Sequence, residues 1–343
     1  MENTLTQFVT LDEIKAARER IKSAARYTPM LEVPWPLLAG AKAPALQDHR
    51  GPGLQPSPHL FLKAESLQPM GAFKIRGAFN MVSQLTPDQL KRGVITYSSG
   101  NHGQAVAMAA QMLGAPAVIV MPTTAPAVKV DGCKRFGAEV IFAGTTSLDR
   151  QARAEKEMAE RGLTMVPPFD HALIITGQGT VGLEILEQVP DVATVVIPVG
   201  GGGLLSGAST AIKQAKPAVR IVGVEPEGAP KMTKSLEAGH PITLPSSKSI
   251  ADGLMNMRPG DITFAHVKQF VDEVVTVSDE AIAKAVAWLA GNARLVVEPS
   301  GAATTAAIML GLGHIDPSKG PVVAIVSGGN VAPEAFAKYL GQT

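Results

Sequence analysis

The sequence reads as an α/β protein whose parallel sheets are covered on both faces. Three observations carry that reading. Short apolar, β-rich runs recur along the chain with little polar alternation, as strands buried on both sides require. Segments of helical character separate them, the order expected of strand–helix–strand units. Glycine-rich turns follow directly on several of the runs, and an open parallel sheet binds its ligands at those carboxyl ends.

Taken in order, residues 37–60 are an irregular, proline-rich stretch (Pro44, Pro52, Pro56, Pro58) that reads as a long surface loop. Strand-like Leu60–Lys63 follows at once. Ala117–Met121, Glu139–Ala143, Val192–Val199, Arg220–Glu225 and Val322–Ser327 read as buried strands. Helices are expected over 103–113, 127–137, 148–161, 177–188, 204–215, 279–293 and 300–311, with a last one near 332–340. No regulatory domain is expected after the last strand. Residues 192–212 carry no charge and are long enough to cross a bilayer. Pro198 and the run Gly200–Gly203 interrupt them, so strand, turn and helix start is the better reading.

Composition narrows the function classes. A net charge of +1 provides no basic field for nucleic acid, and 4% aromatics provide few stacking platforms. The single cysteine, Cys133, excludes an internal disulfide framework and a Cys-rich metal site, which fits a reducing, cytoplasmic setting. Cys133 itself reads as a small core residue. No basic-then-apolar leader opens the chain. The histidines show no metal spacing. His171 reads first as structural, with a place near the site as the alternative.

Four motifs carry possible chemistry. Lys74, in Gly71-Ala72-Phe73-Lys74-Ile75-Arg76-Gly77-Ala78, sits where a loop becomes a helix. A lysine there is a Schiff-base amine if its pKa is lowered, and otherwise a solvated charge. Ser98-Ser99-Gly100-Asn101-His102-Gly103 precedes a helix of small residues. It either caps that helix or presents backbone N–H groups to a carboxylate. Gly200-Gly201-Gly202-Gly203-Leu204 follows a strand directly. Consecutive glycines let several N–H groups converge on a phosphate, with the helix dipole behind them. The lysine of a nucleotide P-loop and the dinucleotide glycine spacing are both missing, so a monophosphate is favoured. Ser327, in Val326-Ser327-Gly328-Gly329-Asn330, places a neutral hydroxyl at a strand end, where it either closes a turn or meets a ring nitrogen.

Together, in this order, these motifs resemble the fold-type II pyridoxal-phosphate (PLP) enzymes, the tryptophan synthase β-like family. Within it the chain looks like the serine/threonine dehydratase and serine racemase branch. The resemblance runs from Thr28-Pro29-Met30 to Asn330. The family's Ser-Phe-Lys-Ile-Arg-Gly-Ala motif stands here with Ala72 for the serine. Gly177-Gln178-Gly179-Thr180, Gly223-Val224-Glu225-Pro226, Ala251-Asp252-Gly253 and Glu298-Pro299-Ser300-Gly301 match as well.

The resemblance implies two three-layer parallel-sheet domains with PLP in the cleft between them. Residues 67–164 would form a small domain inserted into a large one of 1–66 plus 165–343. Lys74 would take the cofactor's aldehyde and then act as base at the substrate Cα. Phe73, Asn101, Gly200 to Gly203, Leu204, Glu298 and Ser327 would bind the cofactor. Ser98, Ser99, Gly100, Asn101, His102 and, by a looser alignment, Arg150 would surround the substrate. Ser99 is also the far-face acid of the racemases.

The implied activity is loss of water and ammonia from a small L-β-hydroxy amino acid. L-threonine or L-serine is the default substrate; 3-hydroxyaspartate and 3-phenylserine are the alternatives. Racemase, β-replacement synthase and non-catalytic PLP protein are the competing readings. A homodimer is the family expectation. One departure stands out. Where the racemases hold a divalent ion with a glutamate, a carbonyl and an aspartate, this chain has Glu225, Ala229 and Lys231. No metal is expected; the Lys231 ammonium is expected to pair with Glu225 in its place.

Overall fold

The computed structural model describes residues 8–36, 60–98 and 100–341. The expected loop at 37–60 lies, but for Leu60, outside the described residues. In chain order the elements begin α1 (Leu11–Ile21), β1 (Met30–Val33), β2 (Leu60–Lys63), α2 (Ile75–Val82), α3 (Pro87–Arg92), β3 (Val94–Tyr97), α4 (Asn101–Met112) and β4 (Ala117–Met121). They continue with α5 (Ala127–Arg135), β5 (Glu139–Phe142), α6 (Ser147–Arg161), β6 (Thr164–Met165), α7 (Ala172–Gln188), β7 (Thr194–Pro198) and α8 (Gly203–Ala215). Then come β8 (Arg220–Pro226), α9 (Lys231–Ala238), α10 (Asp261–Phe270), β9 (Glu273–Val277), α11 (Asp279–Ala293), α12 (Pro299–Met309), β10 (Val322–Ile325) and α13 (Pro333–Leu340).

The strands form two sheets. The larger has the order β1-β2-β10-β7-β8-β9, the smaller β5-β4-β3-β6. The smaller sheet is parallel throughout. The larger is parallel except at one edge, where β1 pairs antiparallel with β2, Met30 opposite Lys63. The parallel-sheet architecture expected from the sequence is therefore present, with one antiparallel pair added at the edge.

Both sheets sit between helical layers, and strand alternation shows why. In β4, Ala117, Ile119 and Met121 face α2, α4 and α5, while Val118 and Val120 face α6. In the larger sheet, Val222 and Val224 pack under α11 and α12, and Val195, Ile197 and Ile221 under α8 and α10. Residues 192–212 are β7, the glycine turn and α8, and no helix of the described residues is long and apolar enough to cross a membrane.

Two features position the lysine at the start of α2. The first is close helix packing. A Cβ on Gly177 of α7 would lie 2.6 Å from the Arg76 carbonyl oxygen and the Gly77 Cα, so only glycine lets α7 meet α2 there. The second is a buried ionic cluster. The Arg76 guanidinium bonds Glu65 at 2.7 Å and Glu184 at 2.6 Å, and Lys63 bonds Glu184 at 2.5 Å. All four side chains are buried, and paired buried charges hold only with this density of hydrogen bonds. α7 begins at Ala172, earlier than its apolar pattern suggests, because His171 Nδ1 accepts from the Leu173 amide at 3.1 Å and caps it.

Candidate active site

The carboxyl ends of the two sheets open onto one cavity of about 650 Å³. Its walls include Phe73 and Lys74 before α2, Ser98, Asn101 and His102 after β3, Gly200 to Gly203 and Leu204 after β7, and Ser327 after β10. Because β10 neighbours β7, Ser327 and the glycine turn lie side by side. The lysine segment is strapped to the same edge: the Phe73 amide donates to the Ser327 carbonyl at 3.1 Å, and Ala72 bridges Gly328.

Lys74 is the residue immediately preceding α2. Its ammonium donates to the Pro168 carbonyl at 2.7 Å and lies 5.3 Å from the centre of the Phe73 ring. Burial pushes its pKa down to about 8. A neutral amine is therefore accessible near neutral pH, which a Schiff base requires.

The glycine turn leads into the N-terminus of α8. Gly202 holds φ at +104°, a conformation side chains rarely adopt, and offers no side-chain cap. The first N–H groups of α8 are thus left for an anion. Phe169 covers the turn closely enough that a Cβ on Gly201 would strike its ring. Neither Pro168 nor Phe169 carries a sequence signal for this position. Asp170 holds them there by accepting from the amides of Asp261, Ile262 and Thr263 at the start of α10.

Asn101 opens α4, and both ends of its amide are held. Its Nδ2 donates to Glu298 Oε1, and its Oδ1 accepts from Asn330 Nδ2 at 2.9 Å. Glu298, 2% exposed, is pushed up to about 7 by burial, against the opposing charge of Lys129. The Lys129 ammonium from α5 reaches across the cleft to Asp252 and lies 3.6 Å from Glu298. Sequence reasoning missed Lys129 and Asn330; a lysine inside a helical run and an asparagine in a glycine turn have no local mark.

The Ser98 hydroxyl accepts from the Gly100 amide at 3.1 Å. Ser99 lies outside the described residues. His102 is buried, with Nε2 3.0 Å from the Val166 carbonyl, so Nε2 carries the proton. Burial, helped by the Lys74 charge, pushes its pKa down to about 3, and its Nδ1 has no partner among the described residues. Arg150, on α6, lines the outer wall beside Thr145, Thr146 and Ser147. Among the described residues its buried Nε has no partner and its Nη1 reaches only the Thr145 carbonyl, at 3.4 Å. Glu225 and Lys231 pair at 3.2 Å. Among the described residues no group of three or more His, Cys, Asp or Glu is placed to hold a metal. His171, spent on its cap, is not part of the wall.

This donor set suits a phosphorylated aldehyde. It combines a half-buried amine of low pKa, an uncapped helix start lined by glycines, and a neutral hydroxyl at the neighbouring strand end.

Comparison with known proteins agrees. The family model described as pyridoxal-phosphate dependent enzyme matches residues 37–328. An L-threonine ammonia-lyase of Thermotoga maritima is 40% identical over 323 residues, covering 94% of this chain and 76% of that protein. An L-threo-3-hydroxyaspartate ammonia-lyase of Saccharomyces cerevisiae is 37% identical, with 96% of each chain covered. Among solved structures, maize serine racemase superposes with a TM-score of 0.86 at 36% identity, covering 98% of both chains. The amine, the glycine turn and the hydroxyl thus fall within one family match that spans most of the chain, and this chain belongs to the pyridoxal-phosphate dependent enzymes of fold type II.

Proposed function

We propose that this chain eliminates water from a small L-β-hydroxy amino acid, L-threonine or L-serine, releasing a 2-oxo acid and ammonia. The observation that carries the reading is the low-pKa Lys74 amine in one cavity with the glycine turn and with Ser98, Asn101 and His102. Two relatives that bear ammonia-lyase names and cover nearly the whole chain support it.

Bound here, PLP supplies an electron sink for negative charge at the substrate Cα. Lys74 would hold the aldehyde and, as a neutral amine, would be the base that takes the Cα proton. Gly200 to Gly203 and Leu204 hold the phosphate with backbone N–H groups. Phe73 would line the ring and Asn101 would hold its 3′-oxygen, with Glu298 fixing the Asn101 amide. Ser327 offers the ring nitrogen a hydroxyl, which does not fix a proton there as a carboxylate would. A sink limited in that way would favour loss of the β-substituent. Ser98, Ser99, Gly100, Asn101 and His102 surround the substrate carboxylate at the start of α4. The enamine released then hydrolyses to the 2-oxo acid and ammonia.

A second reading concerns the β-substituent. The Arg150 Nε on the outer wall, buried and without a partner among the described residues, favours a substrate with a second carboxylate, such as 3-hydroxyaspartate. Racemisation at Ser99 remains the competing activity. The same reading takes residues 67–164 as a small domain set into 1–66 plus 165–343, in a cytoplasmic homodimer. The deciding experiment is a panel of L-threonine, L-serine, 3-hydroxyaspartate and 3-phenylserine, assayed for 2-oxo acid with no second substrate. D-serine formation that exceeds oxo-acid release would favour the racemase.

A further inference from the structure

Lys231 opens α9 and is fully buried, yet it is no part of the cavity wall. Its ammonium donates to the carbonyl oxygens of Val199 at 2.7 Å, Leu254 at 2.9 Å and Ala229 at 3.3 Å, and sits 3.2 Å from Glu225 Oε2. Four oxygens around three N–H bonds is the surrounding of a small cation rather than of a single ion pair. Glu225 is itself fully buried and also accepts from the amides of Met232 at 3.0 Å and Thr233 at 2.8 Å.

The four oxygens come from separate stretches of chain. Val199 immediately precedes the glycine turn. Leu254 lies between residues that line the cavity, Asp252 and Gly253 before it and Met255 and Asn256 after it. The two stretches meet at Gly200, where a Cβ would lie 3.0 Å from both the Gly253 carbonyl and Asn256 Oδ1. A buried carboxylate facing three carbonyl oxygens repels itself apart unless a positive charge sits among them.

We infer that the Lys231 ammonium is a tethered cation that locks the glycine turn to the 252–256 segment, so that the cofactor's phosphate cradle holds its form without a free metal ion. The inference rests on the glycine turn being that cradle, but not on the reaction, because cofactor retention is read without turnover.

The test is retention of PLP, followed by visible absorbance after gel filtration, together with the melting temperature. In the parent protein, EDTA or added Mg²⁺ at constant ionic strength leaves both unchanged. Lys231→Ala empties the cage. Its Kd for PLP is weakened by at least about tenfold and is restored, saturably, by K⁺ or ethylammonium but not by tetramethylammonium. Lys231→Gln keeps a donor without the charge and serves if the alanine variant does not fold; it too loses affinity. Three results would overturn the inference. They are a parent protein that EDTA strips or destabilises, either variant retaining PLP like the parent, and a weakened alanine variant indifferent to small cations.

Discussion

The Lys74 ammonium donates to the Pro168 carbonyl at 2.7 Å, and burial alone accounts for its pKa of about 8. A carbonyl accepts a hydrogen bond without holding the proton as a carboxylate would. The amine therefore loses its proton more than two pH units earlier than an ordinary lysine near 10.4. The rate at which PLP-free protein takes up the cofactor should rise with pH through a midpoint near 8. A midpoint above 10 would mean that Lys74 is a solvated charge.

Glu298 gives a second pH dependence. Its folded pKa of about 7 lies above the ordinary carboxylate value because burial disfavours the anion more than Lys129 favours it. A raised acid pKa means that folding favours the protonated form. Stability is thus fully present below about pH 4.5, declines as pH rises, and levels off above about 7. Glu298→Gln should flatten that decline and unfold at higher denaturant at pH 8, by up to about 3 kcal/mol. Equal or lower stability of the variant at pH 8 would contradict this electrostatic account.

Arg76 neutralises two buried carboxylates, Glu65 and Glu184. Among the described residues, Arg76→Met leaves the two carboxylates with one cation, Lys63, and the neutral donors Thr28 and Gln68. It should cost roughly 3–5 kcal/mol in urea unfolding. A loss under about 1 kcal/mol would place the cluster in effective contact with water.

Much of this was legible in the sequence, for identifiable reasons. Strands β4, β7, β8 and β10 are short apolar runs, and burial on both faces leaves no other pattern for them; β5 is an exposed edge strand, legible only by its Val140-Ile141-Phe142 run. β9 escaped because it is an edge strand, half-buried along Glu273 to Thr276, so its composition is mixed. β6 is only two residues long, too short to register. Lys74, Asn101, the glycine turn and Ser327 were legible because each stands at a strand end or helix start, where spacing is local. Lys129, Pro168, Phe169 and Asn330 were not. Pro168 and Phe169 line the cavity, and Lys129 and Asn330 hold residues of its wall, through contacts across 29 to 260 positions of chain, which no local pattern encodes. The Glu225–Lys231 pairing was expected; the Val199 and Leu254 carbonyls that complete the cage were not.

Arg150 decides between β-substituents. If its unpartnered Nε meets a second substrate carboxylate, Arg150→Met should lower kcat/KM for 3-hydroxyaspartate by roughly 10- to 100-fold, the worth of a charge-assisted hydrogen bond. The value for L-serine should stay within about threefold. Equal losses on both substrates would make Arg150 a structural residue of the cavity wall.

The most direct measurement is oxo-acid and ammonia release from L-threonine, L-serine or 3-hydroxyaspartate by purified protein supplied with PLP, run beside Lys74→Ala. The account predicts a visible chromophore and equimolar oxo acid and ammonia from at least one of these substrates in the parent, and neither chromophore nor products in the variant. A parent that binds PLP yet releases nothing, or a Lys74→Ala variant that keeps both colour and activity, would contradict it.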